Sequence, residues 1–172
     1  MKKLRVSVVE SVSPNDLYHR QCEGHVVEGI IRLLDGRVSY RIVLNENLLR
    51  RAIKTASENA YYIFHLSRHG DEEGIQLSDE TDIALEAVAD CFQKFHYMPA
   101  ALVLSSCVGG DGGIARAFKN YRQRPDVIFG AEGKDEHAIT FPGACISWPI
   151  LYTELATLRS ADCLFSASTF HT

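Results

Sequence analysis

The chain has 172 residues, 46% of them hydrophobic, which is enough for one domain with a complete core and short for two. With 18 Lys and Arg against 22 Asp and Glu, its formal net charge of -4 offers no electrostatic footprint for DNA, RNA or anionic lipid, so neither nucleic acid nor a membrane is an expected partner. Five scattered cysteines (Cys22, Cys91, Cys107, Cys145 and Cys163) form no Cys-x-x-Cys pair and fit a reducing compartment rather than a zinc site or a disulfide framework.

The first element is a strand, "LRVSVVES"; the basic start reaches Ser7, Glu10 and Ser11 before any apolar stretch of signal-peptide length, and a cytoplasmic location is expected. "SPNDLYHRQCEG" follows as turn residues. Val26, Val27, Ile30, Ile31, Leu33 and Leu34 then form one apolar helix face that stops at Asp35 and Gly36. A second strand, "VSYRIVLN", leads into the helix "ENLLRRAIKTASEN", and a third strand, "YYIFHLS", into "RHGDEEG". "EGIQLSDE" reads as a small hairpin or strand, and Asp82 to Phe95 as a helix stopped by Pro99. The strand "AALVLSS" ends on Cys107 and the glycine run "VGGDGG"; the helix "GIARAFKNYR", the strand "DVIFGAE" and a final helix near "ACISWPILYTELATLR" complete the chain. Strands alternating with helices predict an α/β fold with a mostly parallel central sheet, in a single domain over residues 1–172.

In open sheets of this kind ligands bind beyond the carboxyl ends of the strands. His69 and Cys107 both follow strand ends, which brings a candidate base and a candidate nucleophile to one edge. Gly70, without a Cβ, allows close approach of its N–H to an oxyanion, and the Cys107 amide is its natural companion donor. The glycines after Cys107 open a helix whose N-terminus favours a thiolate.

An apolar strand ending in His-Gly ("YYIFHLSRHG") followed by one ending in Ser-Cys ("AALVLSSC") resembles the caspase-like cysteine peptidases, which include caspases, metacaspases, legumain, separase and bacterial CHAT-domain peptidases. "SPNDLYHRQCEG", "DEEGIQLSDE" and "ACISWPILYTEL" extend the likeness to bacterial members over most of the chain. The resemblance implies a caspase-like three-layer α/β/α sandwich and a cysteine endopeptidase without a cofactor or metal. His69 and Cys107 would be the dyad, with the Gly70 and Cys107 amides as oxyanion hole. It also implies a protein or peptide substrate, a specific partner protein rather than bulk protein, and a role in bacterial antiviral defence or programmed cell death. Bacterial members carry a small residue where this chain has Arg68, a cation that could bind an acidic substrate group or point away. Asp111 and Glu132 are substrate-binding candidates, and Glu10, Asp16, Arg20 and Asp135 are further loop residues able to line a specificity pocket.

Two other readings compete. "RHG" resembles the signature of histidine phosphatases, where Arg68 would hold phosphate and His69 attack phosphorus. That block ends the first strand in those enzymes, however, and here two strand-helix units precede it. A catalytically inactive caspase-like interaction module is the third possibility. His65 lies within its strand and reads as a supporting or packing group, since no third ligand stands at a metal-binding spacing. The "GGDGG" run lacks the phosphate-binding patterns and reads as a substrate-binding loop. The other four cysteines read as packing residues.

Overall fold

A computed structural model describes residues 3–68, 70, 74–105, 113–130, 151–153 and 155. Its centre is a five-stranded, wholly parallel sheet formed by β1 (Arg5–Ser11), β2 (Arg37–Ile42), β3 (Ile63–Arg68), β6 (Ala101–Ser105) and β7 (Val127–Gly130). The strand order is β2-β1-β3-β6-β7, so the chain winds outward from β1 in one direction and then in the other. The order therefore reverses between β1 and β3, where a crevice opens at the carboxyl ends of a doubly wound sheet. A separate antiparallel pair, β4 (Gly74–Gln76) and β5 (Asp82–Ala84), follows β3.

The described helices include α1 (Pro14–Tyr18), α2 (Glu23–Leu33), α3 (Glu46–Glu58), α4 (Leu85–Lys94) and α5 (Gly113–Phe118). Side chains alternate across the sheet and supply two cores. Val6, Val8, Ile63, Ala101 and Val103 meet Val27 and Ile31 of α2, together with Tyr152 from the helical residues 151–153. On the other face Phe64, Leu66, Leu102 and Leu104 meet Leu49 and Ile53 of α3, Val88 and Phe92 of α4, and Ile114 and Phe118 of α5. Both faces are thus covered, which explains why β3 and β6 are apolar almost throughout.

Local chemistry sets the ends of several elements. Asn45 caps α3 by accepting the Leu48 N–H at 3.0 Å, and Asp35 takes the left-handed φ of 54° just beyond α2. Two expectations need correction. "SPNDLY" forms the short helix α1, because Ser13 caps it and Pro14 suits its first turn. Asp82 to Ala84 belongs to β5 rather than to the following helix, because Ile83 is buried between two exposed neighbours and pairs with Ile75.

Candidate functional site

β3 and β6 are direct neighbours, with Ile63 opposite Ala101 and Ser67 opposite Ser105. A side chain from α2 joins their carboxyl ends: Glu23 Oε2 accepts the Ser67 hydroxyl at 2.6 Å and the Ser105 hydroxyl at 2.5 Å. Ser67 and Ser105 are 5% and 6% exposed, so these bonds satisfy hydroxyls that would be costly to bury alone. Glu23 sits in the first turn of α2, where a carboxylate is favoured by the helix dipole. One anion therefore ties the ends of two strands to the start of a helix.

Beneath this cluster, His65 is fully buried and its Nδ1 shares a 2.7 Å hydrogen bond with the Tyr152 hydroxyl. Burial lowers the His65 pKa to about 4, opposed by the negative charge of Glu23, so the ring is neutral near pH 7. Burial likewise raises the Tyr152 pKa, which keeps its hydroxyl protonated. On the same side of the sheet, Glu10 Oε1 accepts the Gly24 N–H at 3.0 Å and Oε2 accepts the Tyr40 hydroxyl at 2.5 Å. Glu10 is raised above its ordinary pKa chiefly by burial, against the lowering effect of these bonds. Gly24 is required here, since a Cβ would overlap the Tyr40 ring and Glu10 Oε2.

Arg68 occupies the opposite face from Ser67, buried at 7% exposure, and its Nη1 donates to Gly74 O at 3.0 Å. Gly70 pairs with Ile75 in an isolated antiparallel bridge, and a Cβ at Gly70 would run into the Arg68 guanidinium and Gly74 O. The guanidinium thus fills the space beside Gly70 and Gly74.

His69, Cys107, Asp111, Glu132 and Asp135 lie outside the described residues. Among the other sequence candidates, Glu10 is a correction: it is not a loop residue but part of β1, 1% exposed and fully engaged by Gly24 and Tyr40. Asp16 belongs to α1, and Arg20 is an exposed residue with a left-handed φ of 59°. Cys22 and Cys91 are buried free thiols whose pKa values are raised by burial, as packing residues should be. Ser67, Ser105 and Glu23 were not identified as a cluster by sequence reasoning. The first two carried a signal, a hydroxyl closing an apolar strand run, whereas Glu23 carried none.

Among the described residues no group of three or more His, Cys, Asp or Glu side chains could hold a metal, and no helix is long and apolar enough to cross a membrane. No family model matches the sequence, and no curated protein matches it significantly.

Proposed function

We propose that the chain is a cysteine endopeptidase of caspase-like, three-layer fold, with His69 and Cys107 as its dyad. The observation that carries this reading is the direct pairing of β3 with β6 in the register Ser67 to Ser105. His69 and Cys107 each follow one of those serines by two positions, and a period of two continued from both strand ends would bring them to one face of one edge. The Glu23 bridge supports the same reading, because it fixes the relative height of the two strand ends from which the dyad would start.

In this mechanism His69 deprotonates or ion-pairs with Cys107, the thiolate attacks a peptide carbonyl, and the Gly70 and Cys107 amides stabilise the oxyanion. His69 then protonates the leaving amine, and water hydrolyses the acyl-enzyme. The substrate is a specific partner protein in the cytoplasm, and defence-linked cell death is the role that the family resemblance suggests. Arg68 serves as a brace between Gly70 and Gly74 rather than as a substrate ligand, because its guanidinium lies against Gly70 and bonds Gly74 O. The phosphatase reading is the weaker one on sequence order, since its RHG block ends the first strand and here "LRVSVVES" and "VSYRIVLN" precede it.

The test pairs a peptide library with iodoacetamide labelling. Cleavage by the wild-type chain, its loss in Cys107→Ala and His69→Ala, and preferential labelling of Cys107 near neutral pH are the expected results. Phosphate release that persists in Cys107→Ala would favour the phosphatase instead. A folded chain in which neither cleavage nor selective labelling occurs would be an inactive interaction module.

A further inference from the structure

Strand β2 forms one edge of the sheet, and its outer side pairs with no other described strand. Arg37 N donates to Leu4 O at 2.6 Å and Val43 N to Glu10 O at 2.8 Å, both toward β1. By the alternation of a parallel ladder, the N–H and C=O groups of Val38, Tyr40 and Ile42 therefore point outward. Such a row is a template for another strand. Beside it, between β2 and α3, runs a groove of about 350 Å³ with Leu48 and Ala52 in its lining and Arg41 and Arg51 exposed along it. Among the described residues neither guanidinium has an ion-pair or hydrogen-bond partner, whereas the adjacent Arg50 is paired with Glu46. In a chain of net charge -4, this edge is locally cationic.

We propose that the β2 edge and its groove dock an extended acidic segment of a partner protein, which adds to the sheet as a further strand. Main-chain bonds to Val38, Tyr40 and Ile42 supply the pairing, and a carboxylate side chain enters the groove between Arg41 and Arg51. A second copy of this chain is a poorer occupant, since β2 against β2 would set Arg37 and Arg41 near the same arginines of the other copy. The site uses none of the residues of the proposed dyad and stands independently of that reading.

The test uses short peptides in which Val or Thr alternates with Glu, Lys or Ser, titrated against the full chain. The Glu series should bind, weaken as salt rises, and slow amide exchange at Val38, Tyr40 and Ile42. Combining Arg41→Glu with Arg51→Glu should weaken it at least about tenfold, equivalent to about 1.4 kcal/mol, and turn the preference toward the Lys series. Ile42→Pro, which removes one outward N–H and leaves the β1 ladder intact, should weaken binding without changing the charge. Circular dichroism checks that both variants are folded. Failure of the Glu series to bind, equal binding of the Lys series, or unchanged affinity in both folded variants overturns the proposal. A dimer that Ile42→Pro dissociates would assign the edge to a second copy and overturn it as well.

Discussion

His65 shows how one buried side chain couples the fold to pH. Its folded-state pKa of about 4 lies below the ordinary 6.5, so only the unfolded chain takes up a proton between those values. The resulting stabilisation is fully present above pH 6.5 and declines as pH falls toward 4, by up to about 3 kcal/mol. Urea midpoints measured across that window should fall steeply for the wild type and less for His65→Gln. Glu10 acts in the opposite sense: with its folded pKa raised above the usual 4.5, stability is lost as pH rises through the interval. A pH response unchanged by His65→Gln would mean that the ring is charged in the folded state. At Arg68, the brace role predicts that Arg68→Gly lowers stability by about 1–3 kcal/mol through the released Gly74 carbonyl. In the peptidase reading it also predicts a lower turnover rate and a shifted pH profile with an unchanged peptide preference. A changed peptide preference at full turnover would instead place the guanidinium against substrate.

At the scale of elements, the start of α2 is tightly held against β1 and β2. Ala is normally the better helix former by about 1 kcal/mol, so Gly24→Ala in an open helix would stabilise. Here the added Cβ would strike the Tyr40 ring and Glu10 Oε2, which are held to each other by a 2.5 Å bond and cannot both yield. Overpacking should therefore win, with a net loss of about 1–3 kcal/mol in chemical denaturation. The same displacement would move Glu23, one residue earlier, away from Ser67 and Ser105. In the peptidase reading, activity should fall by more than the folded fraction does. A stabilised, fully active Gly24→Ala would show that α2 can slide without consequence for the site.

Across the whole molecule the two cores share the strands β1, β3 and β6, so neither helix layer can leave without exposing the other side of the same sheet. A single cooperative transition is expected, with far- and near-ultraviolet circular dichroism reporting one midpoint. Phe92 is the test position, with ring centroids 5.1 Å from Phe64, 5.7 Å from Tyr97 and 5.9 Å from Phe118. Phe92→Ala should cost about 3–5 kcal/mol and lower the melting midpoint by roughly 6–20 °C. If α4 and α5 melted in a separate, earlier step, the shared-sheet account of cooperativity would fail.

The sequence by itself determined the kind and place of most elements, because these depend on local periodicity and end signals. The runs around Val6, Phe64 and Leu102 have strand length and the continuous apolar character of strands covered on both faces, and the helical spacing of "ENLLRRAIKTASEN" marks a helix that the structure caps with Asn45. Residues 82–84 escaped this logic, because three positions are too few for a period of two to outweigh the helical spacing that follows. What only the tertiary structure decided was adjacency. That β3 lies between β1 and β6, that Glu10 is buried against Tyr40 rather than exposed in a loop, and that Glu23 meets Ser67 and Ser105 all depend on packing between distant segments. Local periodicity carries no information about which neighbour a face will meet. Burial then dictates the partners: once apolar packing has brought Glu10, Glu23 and the two serines out of water, each must find a hydrogen bond within reach, and the bonds they find define the edge of the sheet.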